Sequence, residues 1–192
     1  MATPKQLRPK KGSQRTKCRE PLSREEILDL DRALMGVFRS IRAFRESNAV
    51  ARYIKFPPMP AIFSESIAIA ATPILFGREW KGGYGGRDSD LTVKNLGSGK
   101  ALRVEVKATA QHAFQEIKEK DLLADALIWI RFGRRYELGV GAIEVAVIER
   151  LGSYVKTSRR LDVRRLDLIP GLLDSQRMFH FDGLEQMLRT PL

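Results

Sequence analysis

The chain has 192 residues and carries 34 Lys and Arg against 23 Asp and Glu, a formal charge of +11. That length suits one domain with a substantial core, while a single cysteine, Cys18, and only two histidines, His112 and His180, exclude a disulfide scaffold and Cys/His zinc fingers. No stretch approaches the roughly 20 apolar residues of a membrane span, so the composition reads as a soluble, basic protein of a reducing compartment, most simply cytoplasmic.

Residues 1 to 20 set Lys5, Arg8, Lys10, Lys11, Arg15, Lys17 and Arg19 against Glu20 alone. Prolines and the lack of a continuous apolar run argue against a secretory signal or a transit helix. A disordered basic arm that touches phosphate backbones is expected. The remainder, 21–192, reads as one domain: a helical N-terminal element over 21–58, a core over 61–150 and a C-terminal extension over 151–192. Ser23-Arg24-Glu25-Glu26 has the form of a capping box. After it Ile27, Leu30, Leu34, Val37, Ile41 and Phe44 recur at helical spacing, predicting a helix of about 22 residues whose seam faces the core.

The run Lys55-Phe56-Pro57-Pro58-Met59-Pro60 is a break. Residues 61–71 then form a nearly all-apolar helix with Glu65 inside it, a carboxylate that needs a cation, a donor or water. The segment Trp80–Asp88 is glycine-rich and reads as a connection bearing Lys81 and Arg87; it matches no Walker loop and no dinucleotide fingerprint, so no nucleotide cofactor is expected. Two alternating strands, 90–94 and 101–108, flank the turn residues Asn95–Lys100. A helix is predicted over roughly 112–124. Strands follow at 126–132 and 143–148, then a mixed tail with a short helix near 183–189.

The hairpin carries the chemistry. Alternation sets Leu91 and Val93 against Asp90 and Thr92, and Val104 and Val106 against Glu105 and Lys107. With Asn95 and Lys100 closing the turn, Asp90 lies opposite Glu105. Opposed Cβ atoms are about 4.5–5.5 Å apart, where like charges repel unless something positive joins them. Mg²⁺, which accepts one or two carboxylates with waters and phosphate oxygens, resolves that conflict. Lys107 projects from the same face about 6.6 Å along the strand. The competing reading is a solvated outer face of an edge hairpin. Glu116-Ile117-Lys118 repeats the Glu-x-Lys spacing within the stretch read as helix, where i and i+2 diverge, and is set aside.

Glu65 on a helix, Asp90, and Val104-Glu105-Val106-Lys107 followed by a helix and an apolar strand resemble the PD-(D/E)xK nuclease superfamily over roughly residues 61–132. The resemblance implies an α/β fold with a central mixed sheet of about four or five strands flanked by helices, as in restriction endonucleases. It implies a Mg²⁺-dependent (Mn²⁺ as substitute) DNA endonuclease, hydrolysing phosphodiester bonds through a metal-activated water. Asp90 and Glu105 match the metal-binding carboxylates, the Val106 carbonyl an added ligand, Lys107 the lysine beside the attacking water and Glu65 an outer glutamate. Ser89 stands where the family has proline, and Asp88 competes with Asp90, which the register favours. Lys81, Arg87, Gln111, Gln115, Arg134 and Arg135 are candidate DNA contacts. Duplex DNA is the expected partner, cut by a homodimer. A junction resolvase is the second reading, and a non-catalytic nucleic-acid-binding protein belongs to another class.

Overall fold

A computed structural model describes residues 20–86, 88–110, 114–157, 159–162, 169–172 and 176–189. The basic arm, Arg87, Gln111 and His112 lie outside them.

Helix α1 (Arg24–Ser47) starts where the capping box requires: the Ser23 amide donates to Glu26 Oε2 at 2.7 Å and the Glu26 amide to Ser23 Oγ at 3.2 Å. Those bonds stabilise the ionised Glu26 carboxylate and lower its pKa. The buried stripe is Ile27, Asp31, Leu34 and Phe38. It departs from the expected seam, because a straight helix drifts from a heptad, and Val37 and Phe44 are left 46% and 52% exposed. The 3₁₀ turn Val50–Tyr53 and the proline break lead to α2 (Ala61–Phe76), which is apolar on most sides.

Among the described residues eight strands follow: β1 (Trp80–Tyr84), β2 (Leu91–Asn95), β3 (Ala101–Thr109), β4 (Phe114–Ile117), β5 (Ala126–Arg131), β6 (Ile143–Glu149), β7 (Arg159–Asp162) and β8 (Gln176–Phe181). Three single-turn helices punctuate them, α3 (Glu119–Leu122), α4 (Arg135–Leu138) and α5 (Leu184–Met187). The protein is α/β: a six-stranded mixed sheet in the order β1-β2-β3-β5-β6-β8, with helices against it and β4–β7 as a separate pair. Among the described strands of this sheet only β3 and β5 run parallel; the other neighbours are antiparallel. The central sheet therefore has six strands where four or five are expected. No helix of the described residues is long and apolar enough to cross a membrane.

Three elements differ from the expectations. The glycine-rich 80–84 segment is edge strand β1, and Gly82 serves packing: a Cβ there would come within 2.5 Å of Thr72 Oγ1 and 3.1 Å of Ile69 Cα on α2. The helix expected over 112–124 is instead strand β4 followed by the single turn α3. Phe114 and Ile117 fit helical spacing, but their backbones pair with Asp162 and Arg159 of β7, and Ile117 is buried beneath the sheet with Trp129 and Leu161. Glu116 and Lys118 thus sit on extended chain, both exposed. In the C-terminal stretch expected as an extension, β8 forms an edge of the main sheet.

The sheet separates two cores. Leu91, Val93, Val104, Val106, Ala126, Ile128 and Ile130 face α1 and α2 with Phe63, Ile67 and Leu75. Leu127, Trp129, Ala146 and Ile148 face the opposite side with Ile117, Leu151 and Leu161. Parallel pairing sets Glu105 beside Leu127 and Lys107 beside Trp129, so the charged residues of β3 share that second face.

Candidate active site

The β2–β3 register pairs Leu91 with Val104, Thr92 with Arg103 and Lys94 with Ala101, which continues to Asp90 opposite Glu105. Local chemistry sets this register: the Asn95 amide donates to the Lys100 carbonyl at 2.8 Å, and Asn95 Oδ1 accepts from the Gly97 and Ser98 amides at 3.0 and 2.7 Å. Past Asp90 the chain turns away, with the Gly85 amide donating to the Asp90 carbonyl at 2.9 Å. A Cβ on Gly85 would come within 2.3 Å of the Ser89 carbonyl oxygen, so only glycine fits.

Where β2 departs, the Asp90 side chain takes over its ladder. Asp90 Oδ2 accepts from the Val106 amide at 2.9 Å. Antiparallel alternation points the Val106 amide and carbonyl to the same edge, beside this carboxylate. Glu105 is 0% exposed, which rules out a solvated outer face for its side chain. Its Oε2 accepts from Lys120 Nζ at 2.6 Å, and the same ammonium lies 3.7 Å from Asp90 Oδ1. Two carboxylates thus converge on one cation. Glu105 Oε1 is buried and accepts no hydrogen bond among the described residues.

Burial pushes the Glu105 carboxyl up; the Lys120 hydrogen bond opposes this, while Asp90 and Asp121 repel the ionised form, and the net shift is upward. For Lys120, burial disfavours the ammonium, but the Glu105 bond and the charges of Asp90, Glu105 and Asp121 outweigh it and raise the pKa. Asp88, the competitor of Asp90, is exposed and lines the mouth of a cavity of about 380 Å³ with Gly86, Ser89, Asp90, Arg103 and Lys120.

Lys107 turns elsewhere. Its Nζ lies 2.8 Å from Asp121 Oδ1, with the carboxylate fully buried, while Asp121 Oδ2 accepts from the Lys118 amide at 2.7 Å. Lys120 and Asp121 were not among the expected site residues; both stand on α3, in a stretch whose helical reading concealed how close it comes to β3. Two further buried polar atoms on the Glu105 face or at its end, Trp129 Nε1 and Thr109 Oγ1, have no hydrogen-bond partner among the described residues. Such orphans call for an explanation and mark sites where water, an ion or a substrate completes the network.

The remaining candidates disperse. Half-buried Glu65 stands on α2, which packs on the opposite face of the sheet from Glu105. Lys81 is exposed on edge strand β1, and Arg134 is exposed. Arg135 is committed to structure: its Nη2 lies 2.5 Å from buried Asp31 Oδ2, and the Tyr136 hydroxyl donates to Asp31 Oδ1 at 2.8 Å. Burial, then the Asp31 charge, raises the Tyr136 pKa, so the phenol stays neutral. Gln115 is half-buried at the start of β4, beside the end of β3.

The oxygen donors suit a hard divalent cation: two carboxylates and an edge-facing carbonyl, the rest of the shell falling to water and phosphate. Among the described residues no group of three or more His, Cys, Asp or Glu side chains converges as a metal cage. Mg²⁺ does not require one. No family model matches the chain, and neither the curated proteins nor the solved structures include a match to it.

Proposed function

We propose that this chain is a Mg²⁺-dependent DNA endonuclease of the PD-(D/E)xK kind, with restriction-type cutting of duplex DNA as its first reading. One observation carries the proposal: Asp90 and fully buried Glu105 converge on a single cation, and Glu105 keeps one oxygen without a hydrogen bond among the described residues. Burying the Glu105 carboxylate against half-exposed Asp90 is costly, and a fold that only needed strand pairing gains nothing from it.

Asp90, Glu105 and the Val106 carbonyl would hold Mg²⁺, which supplies Lewis-acid polarisation of a phosphate and a more acidic water. The chain's own groups have separable tasks. The Val106 amide fixes the Asp90 carboxylate. Lys120 offsets one of the two carboxylate charges, and its exposed stem would let it reach a phosphate if a metal took its place. Lys107, paired with Asp121 on the same face, would position that face and the turn bearing Lys120, not supply a free positive charge to the phosphate. In the hydrolysis a water oxygen bonds to phosphorus, the bridging P–O bond breaks, and the leaving oxygen takes a proton. Double-strand cutting calls for two such sites, hence a homodimer. A structure-selective nuclease with the same chemistry is the second reading.

The test is plasmid cleavage with and without Mg²⁺, for the wild type and for Asp90→Ala, Glu105→Gln and Lys120→Ala. Discrete fragments that need Mg²⁺ and both carboxylates support restriction-type cutting. Cleavage confined to branched DNA selects the second reading. DNA binding without any Mg²⁺-dependent cleavage leaves a binding protein in which Asp90 merely caps a strand.

A further inference from the structure

Two adjoining clefts lie between the α1–α2 connection and the rest of the molecule, sharing Arg45, Arg52 and Phe56. The larger, about 810 Å³, has Pro57, Pro58 and Met59 on one wall and Ala108, Thr109 and Ala110 on the other. That second wall begins one residue past Lys107, so the cleft opens at the C-terminal end of β3, the strand that bears Glu105 on its other face. Thr109, whose buried hydroxyl has no partner among the described residues, belongs to it.

The charge is one-sided. Among the described residues Arg42, Arg45, Arg52, Lys55 and Arg134 line the two clefts against Glu46 alone, which pairs with Arg42 at 2.7 Å. Arg45 lies over the Phe56 ring at 5.0 Å, and Phe56 stacks on Phe38 at 5.0 Å, so part of this cationic surface is held rigid. Tyr53, between Arg52 and Lys55, is 81% exposed.

We propose that this cleft binds an unpaired DNA strand running on from the carboxylate site, with a base stacked on Tyr53 and phosphates met by Arg52 and Lys55. The proposal rests on the nuclease chemistry common to both readings and, between them, favours the structure-selective one: its substrate is DNA with a single-stranded segment beside the cut. A duplex backbone offers phosphates and sugars, for which cations suffice. An exposed aromatic ring and an apolar wall gain from DNA only when bases leave the stack, and base–aromatic stacking is indifferent to sequence. The cations add affinity that falls with salt.

The experiment is fluorescence anisotropy in EDTA with a labelled oligothymidylate and a blunt hairpin duplex. Tyr53→Ala is expected to weaken oligothymidylate binding about tenfold and duplex binding less than about twofold, with Tyr53→Phe restoring it. The double variant Arg52→Ala/Lys55→Ala flattens the salt dependence by about two counterions. Unchanged melting temperatures certify the fold. Single-strand affinity within about twofold of wild type in Tyr53→Ala overturns the assignment, as does an equal loss on both probes. Cleavage without Tyr53-dependent binding therefore refutes the cleft alone, and Tyr53-dependent binding without cleavage refutes the nuclease reading alone.

Discussion

The two faces of the central sheet are built on opposite rules. Toward α1 and α2, β2, β3 and β5 present Leu91, Val93, Val104, Val106, Ala126 and Ile128, and the contacts are hydrocarbon on hydrocarbon. Toward α3 and β4 the same strands carry Glu105 and Lys107 among Leu127 and Trp129, each tied to a counter-charge from the single turn α3. One face supplies stability through area buried. The other spends some of it to hold ionised groups out of water, where geometry and charge acquire chemical leverage. A sheet in which one face is uniformly apolar can tolerate such expense on its other face.

Breaking the apolar face should cost the most. Phe63 is fully buried and stacks against Phe132 with centroids 5.8 Å apart. Phe63→Ala is expected to destabilise by about 3–5 kcal/mol, read by urea denaturation, with no specific effect on metal response beyond the loss of folded protein. On the polar face, Lys107→Met strands the buried Asp121 carboxylate and should cost about 3 kcal/mol. Adding Asp121→Asn should recover most of that loss, which no apolar-face truncation allows. If Lys107→Met leaves stability unchanged, the pair is not a buried ion pair in solution.

Glu105→Gln sharpens the contrast because stability and function should part. Cleavage is expected to fall on the order of a hundredfold, whereas the fold should hold or gain. The sign follows from the raised Glu105 pKa. A carboxyl that holds its proton more tightly when folded contributes stability below the ordinary carboxylate pKa, and loses it as pH rises through the raised value. Above that range its ionisation is a standing cost, which the amide removes. Melting temperatures of the metal-free proteins should therefore diverge from the ordinary carboxylate range upward, the variant ahead. A variant that trails wild type at neutral pH would show that the Lys120 bond outweighs burial.

The smallest effect lies away from both faces. Ser23→Ala removes the α1 cap and should cost about 1 kcal/mol. The lowered Glu26 pKa comes first from the Ser23 backbone amide, which the variant keeps, so the stability Glu26 contributes above the ordinary carboxylate value, lost as pH falls through the lowered one, is largely shared by both proteins. The wild-type advantage over Ser23→Ala should shrink in acid only by the part of that shift owed to the Ser23 hydroxyl.

Much was legible where the signal is local. Ser23 and Glu26 start α1 because a hydroxyl and a carboxylate three residues apart satisfy each other's backbone amides. Asn95 and Lys100 close the β2–β3 turn, and strand parity then brings Asp90 to Glu105 without reference to the rest of the chain. Alternation told Val106 from Glu105, though not that both faces would be covered.

What tertiary structure alone decided depends on partners distant in sequence. Gly82 became part of strand β1 because α2 needs a backbone without a side chain there, and β4 formed because β7 offered it an edge, overriding a spacing of apolar residues that suits a helix. That exchange brought Lys120 and Asp121 over β3, so the counter-ions of Glu105 and Lys107 come from a turn with no motif of its own. Arg135 was likewise claimed by Asp31, a carboxylate on the buried stripe of α1. Short-range hydrogen bonds and strand parity are written into neighbouring residues; which charge meets which across a packed face is settled only when the faces close, because desolvation makes every buried ion take the nearest counter-charge that the fold delivers.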